Sequence, residues 1–136
     1  MSIPFASDAW IKALSDHLNH SESYQRSAKK WEGDFVFVVE PDDASSEPIY
    51  LYLNLFHGKS PDAGVLSGPN DREAAYTIRA PYSTWRRVVE GRLDPIQGMM
   101  TRQLKLQGNM MMIMRYPKAA KEIIACTQSI PTEFAA

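Results

Sequence analysis

The chain of 136 residues holds one cysteine, Cys126, so no internal disulfide and no all-cysteine zinc site can form. That scarcity points to an intracellular chain. No apolar run approaches the ~20 residues of a membrane-spanning helix. The stretch Met1 to Asp8 lacks the basic and apolar regions of a secretory leader, and Glu133-Phe134-Ala135-Ala136 is not a peroxisomal address. An excess of one charge is missing too. Fifteen basic and 16 acidic side chains give a net −1, without the basic surplus of a nonspecific nucleic-acid binder. G-x-S-x-G, a phosphate-cradling loop and a dinucleotide fingerprint are all absent, so neither an enzyme nor a cofactor is indicated. Internal repeats and low-complexity segments are absent as well. With 44% hydrophobic and 23% charged residues, what remains is one globular domain, 1–136, expected to be cytoplasmic.

Hydrophobic periodicity divides that domain. Trp10, Ile11, Leu14 and Leu18 recur at helical spacing behind Ser7 or Asp8 as cap, and the pattern continues weakly through Tyr24 and Ala28. One N-terminal helix over 8–30 is expected, with a sheet-and-helix body over 33–127. Asp34–Glu40 and Ile49–His57 form strands joined by a polar loop, an antiparallel hairpin. Shorter strands are expected near Gly64–Ser67, Ala75–Ala80 and Leu104–Gln107. Ser83 is placed to cap a helix carrying Trp85, Val88 and Val89 that stops at Gly91. Asp94-Pro95 opens a short helix through Ile96, Met99 and Met100; Asn109 caps Met110 to Met114, and Pro117 opens the last helix.

Two distributions are uneven. Of seven methionines, six fall between Met99 and Met114. Such a cluster suits a surface that adapts to variable apolar partners, and equally the filling of an ordinary core. Residues 1–75 carry six basic and twelve acidic side chains, net −6, whereas 76–121 carry nine basic and two acidic, net +7. The methionine-rich segment is thus also the basic one. It fits an anionic head group or an anionic membrane, or else a solvated face paired with the acidic half.

Groups able to do chemistry are scattered. His17 and His20 share a helix face but lack a third committed metal ligand. His57 ends an apolar strand, where a hydrogen-bonded structural histidine competes with a general base; a small hydrolase would need the latter. Cys126, near Ile123 at helical spacing, reads as a buried thiol rather than a nucleophile.

From Thr77 onward the chain resembles the sterol carrier protein type 2 family. The resemblance rests on Thr77-Ile78-Arg79-Ala80 leading to Trp85, then Gly91-Arg92-Leu93-Asp94-Pro95, Met99-Met100, and Leu104-Lys105-Leu106-Gln107-Gly108-Asn109-Met110. Arg102-Gln103 stand where the family signature has Gly-Lys, which predicts a different turn into the last strand of the sheet. The resemblance covers residues 33–127.

It implies an α+β fold: a five-stranded, mainly antiparallel sheet covered by helices on one side and enclosing an apolar tunnel. The tunnel would take a fatty acid, fatty acyl-CoA, a sterol-like molecule or a phospholipid, without catalytic residues. Trp85, Val88 and Val89 would form one wall, Ile96, Met99 and Met100 the mouth, Leu104 and Leu106 the floor, and Met110, Ile113 and Met114 the far wall. Arg86, Arg87, Arg92 and Lys105 would meet a head group or an anionic membrane. The alternative is an accessory subunit that presents an apolar intermediate, such as a quinone precursor, to partner enzymes. No oligomeric state follows from the sequence.

Overall fold

The computed structural model describes residues 2–43 and 46–135. From β1 (Ile3–Pro4) the chain turns through Phe5 and Ala6 into α1 (Asp8–Asn19). Ser7 is the cap, its Oγ accepting from Trp10 N at 3.2 Å, while Asp8 enters the first turn and pairs with Lys12 at 2.8 Å. The single helix expected over 8–30 divides in two. Asn19 turns its side chain to Ser60, Nδ2 donating to the carbonyl at 2.9 Å and Oδ1 accepting from the amide at 2.7 Å. Ser21 then takes extended backbone and caps α2 (Glu22–Ser27) through Tyr24 N.

The sheet contains β2 (Phe35–Glu40), β3 (Ile49–Leu53), β4 (Ala63–Leu66), β5 (Tyr76–Pro81) and β6 (Lys105–Gln107), in the order β4-β3-β2-β5-β6. Three of the four pairings are antiparallel; the central β2–β5 pair is parallel, with Phe35 beside Tyr76 and Phe37 beside Ile78. A parallel pair needs a crossover. The chain between β4 and β5 supplies it over the outer face, where Arg72 stacks on the Tyr52 ring at 4.2 Å and Ala75 N donates to Asp34 Oδ1 at 2.8 Å. Under it lies a small second cluster of Val36, Val38 and Tyr52.

The inner face carries Phe35, Val39, Leu51 and Ile78 into the main core, against the helices. α3 (Tyr82–Val89) leaves β5 directly, with Pro81 at the cap and no side-chain bond there. Ser83 is therefore inside the helix, its amide donating to Asp42 Oδ2 at 2.8 Å. α4 (Pro95–Met100) is capped by Asp94, α5 (Met110–Met114) by Asn109, and α6 (Pro117–Gln128) opens on proline. β7 (Thr132–Glu133) pairs in parallel with β1. Ile11, Leu18, Leu53 and Leu104 are completely or almost completely buried, each contributing about 1.5–3 kcal/mol. No helix among the described residues is long and apolar enough to cross a membrane.

Candidate functional site

The sheet and its helical cover do not meet everywhere. Between them is a cavity of about 120 Å³. Its floor is the set of alternate residues that pleating sends to one face: Phe35, Phe37 and Val39 of β2, Leu51 of β3 and Ile78 of β5. Its roof comes from Trp10, Ile11 and Leu14 of α1, Trp85, Val88 and Val89 of α3, and Ile123 and Ile124 of α6. Met99, Leu104 and Ile113 close one side. A void of about 50 Å³ adjoins it, sharing Phe35, Leu55, Ile113, Ala120 and Ile123, and is bounded beyond them by Tyr24, Trp31 and Tyr116.

Every side-chain N–H and O–H in the cavity wall is already engaged. The Trp85 indole donates to Val38 O at 2.9 Å, the Trp10 indole to Thr132 Oγ1 at 3.0 Å, and the Thr127 hydroxyl to Ile124 O at 2.6 Å. Among the described residues no titratable side chain lines the cavity. Such a wall offers an apolar group a matching surface and offers a polar or charged group no partner. Beside the void, burial pushes the Tyr24 phenol far up, and it pushes the Cys126 thiol up as well, so both stay protonated at neutral pH.

Of the residues the sequence proposes as lining, Trp85, Val88, Val89, Met99, Leu104 and Ile113 are in this wall. Ile96, Leu106 and Met110 are half-buried outside it, and Met100 and Met114 are 59% and 46% exposed. The reason is geometric. α5 has five residues, and at 100° per residue only Ile113 is buried, with Met112 half-buried beside it; Met111 stands on the side opposite Ile113, 73% exposed. Phe5, the α1 residues and the β2 residues were missed, although their periodicities were visible. A recurring apolar face reports burial, and burial alone does not tell a cavity wall from a core.

Three of the four basic residues proposed for a head group have local partners. Arg86 Nε reaches Glu90 Oε2 at 3.1 Å, Arg92 bonds the other oxygen of Glu90, and Arg87 bonds Gln103. Hydrogen bonds from Arg86 and then Arg92 hold the Glu90 carboxyl below its ordinary value. Lys105 is exposed on β6. His57 Nε2 shares a 2.6 Å hydrogen bond with Glu32 Oε2, and its ring stacks on Phe56. His20 Nδ1 lies 2.8 Å from Asp16 O in its own helix turn. Among the described residues no group of three or more His, Cys, Asp or Glu side chains converges as a metal site.

A mixed five-stranded sheet with helices on one face and an apolar cavity between them defines the class: a small α+β domain of one sheet and a helical cover. The chain belongs to the SCP-2 sterol transfer family, whose sequence profile matches residues 11–121. Lipid binding and transfer is that family's activity, carried by a domain that is generally non-catalytic. The chain is similar to a crystal structure of sterol carrier protein 2, at 32% identity and TM-score 0.84, over 93% of this chain and 98% of that one. It is also similar to a conserved hypothetical protein, possibly sterol carrier protein, from Thermus thermophilus, solved in solution. That match has 31% identity and TM-score 0.87, over 95% of this chain and 91% of that one. The apo sterol carrier protein 2 of Yarrowia lipolytica shares the fold at 24% identity and TM-score 0.58, over 86% of this chain and 88% of that one. No curated protein matches the chain significantly.

Arg102, where the family signature has glycine, takes a conformation that glycine favours. Its φ is +63°, in the left-handed region that glycine enters freely and that other residues occupy at a cost.

Proposed function

We propose that the cavity takes the hydrocarbon part of one lipid, a fatty acid, fatty acyl-CoA, sterol-like molecule or phospholipid, and that the chain carries it without altering it. The observation that supports this reading most directly is an apolar wall whose every side-chain N–H and O–H is engaged. Magnitudes shape the mechanism. A dry cavity of about 150 Å³ takes a molecule the size of benzene, so about 120 Å³ is too small for a long chain at rest. Loading therefore requires the helical cover to move outward from the sheet. Fully burying a sixteen-carbon chain is worth about 12 kcal/mol, at ~0.8 per methylene, against an association cost of at least about 4. The remaining ~8 kcal/mol corresponds to micromolar affinity, and the work of expansion lowers it.

Unloading onto an anionic membrane is assigned to the basic segment, with the exposed Met100, Met111 and Met114 as its apolar contact. An accessory-subunit role would use the same cavity and add a stable protein contact.

Native mass spectrometry of the purified full chain, with extraction of bound material, tests the reading. One lipid per chain, either copurified or taken up from added long-chain fatty acid, is expected. A chain that stays unliganded in excess fatty acid would contradict it, and a copurifying enzyme would favour the accessory role.

A further inference from the structure

Trp31 and Tyr116 have two sides. Inward they bound the void that shares its walls with the cavity. Outward they line an open cleft of about 660 Å³, together with Tyr76 and Met112. Four cations rim that cleft: Arg26 at the end of α2, Lys29 and Lys30 in the turn after it, and Arg115 at the end of α5. None of the four has a carboxylate partner among the described residues. The acid lining the cleft, Glu32, is engaged by His57 at 2.6 Å.

We propose that this cleft is the head-group site for an anionic, phosphate-bearing amphipath, whose chain enters the cavity between Trp31 and Tyr116. The inference rests on the cavity being a chain-binding chamber and adds where the polar end sits. Four cations without carboxylate partners around one cleft make its potential positive, and a multiply charged anion is drawn to it most strongly. A cationic head group gains nothing there, and an uncharged one gains no charge–charge attraction. Behind the cations, the Trp31 and Tyr116 rings meet edge-on at 5.1 Å and 84°. One such contact is a weak closure, so rotating the Tyr116 ring connects cleft and void. The Trp31 ring is held more firmly: its indole donates to Gly33 O at 2.9 Å, and its face packs on Tyr76 and Phe35. This site differs from Arg86, Arg87 and Arg92, whose side chains already bond Glu90 and Gln103.

Binding of hexadecyl phosphate and of hexadecanol, which share a chain and differ in charge, tests the proposal on the full-length protein. Wild type is expected to favour the phosphate by about tenfold or more at about 50 mM salt, with the gap closing as screening tightens at about 500 mM. Lys29→Glu with Lys30→Glu, both exposed, is expected to weaken the phosphate by about tenfold or more and the alcohol by less than about twofold, with an unchanged thermal midpoint. Arg115→Glu, on the opposite rim, is expected to give the same split. Equal effects on both probes, or none on the phosphate, would overturn the proposal and leave the cavity reading intact. Inorganic phosphate bound as tightly as the ester would also overturn it, by showing an anion site unconnected to the chamber. Failure of both amphipaths to bind wild type would contradict the cavity reading itself, and this proposal with it.

Discussion

A methyl group on Gly33 would stand 2.7 Å from Cε2 of the Tyr76 ring. Gly108 approaches the same ring from the other edge, its added methyl 2.7 Å from Cδ1. Tyr76 cannot step aside, because it packs on Phe35 at 5.0 Å and on Trp31 at 5.3 Å. Both glycines also hold positive φ, +150° and +141°, where a Cβ is strained. Gly33→Ala and Gly108→Ala are each expected to cost about 1–3 kcal/mol in denaturant melts. A cost near zero would mean that the ring is not clamped.

Arg102 supplies the opposite case. Its left-handed backbone costs roughly 1–2 kcal/mol, which glycine avoids, while glycine loses about 0.4–1 through the freedom of its unfolded chain. Arg102→Gly should therefore stabilise by about 0.5 kcal/mol. A clear loss in the same melts would show that the arginine side chain makes a contribution of its own.

Glu90 makes stability depend on acid. Arg86 and Arg92 lower its carboxyl in the fold, so their contribution is present above the unfolded value near 4.5 and is lost as pH falls through the folded one. Wild type should exceed Glu90→Gln in thermal midpoint at pH 7, with the difference shrinking below about pH 4.5. A difference independent of pH would remove the ionic explanation.

Membrane unloading has its own signature. Association with vesicles should rise with anionic lipid and fall with salt, and Met111→Asp with Met114→Asp should weaken it severalfold without destabilising the fold, since both side chains are exposed. Cosedimentation equal on neutral and anionic vesicles would leave the basic segment a solvated face.

Much of the fold was legible in the sequence because it rests on local periodicity. Alternation at Phe35, Phe37 and Val39 and helical spacing at Trp85, Val88 and Val89 each report one buried face. The break at His20–Ser21 was not legible, since it depends on Asn19 reaching Ser60 across the fold. Which methionines face inward was not legible for a related reason. Composition places six methionines in one segment, but two short surface helices turn only some of them inward. Charge misled most. Arg26, Lys29 and Lys30 lie in the acidic half of the chain, and folding brings them to Arg115, 85 residues or more away in sequence.

The central claim, that a hydrocarbon chain enters the space between sheet and helices, is tested most directly by tryptophan quenching with a fatty acid brominated along its chain. Trp10 and Trp85 line the cavity, whereas Trp31 stands between void and cleft. Bromine quenches on contact, so the Trp31→Phe variant reports the chamber alone. Saturable quenching at one chain per protein, retained in Trp31→Phe and displaced by oleate, is the predicted result. Quenching confined to Trp31, or absent while the acid binds, would place the chain outside the cavity and contradict the account.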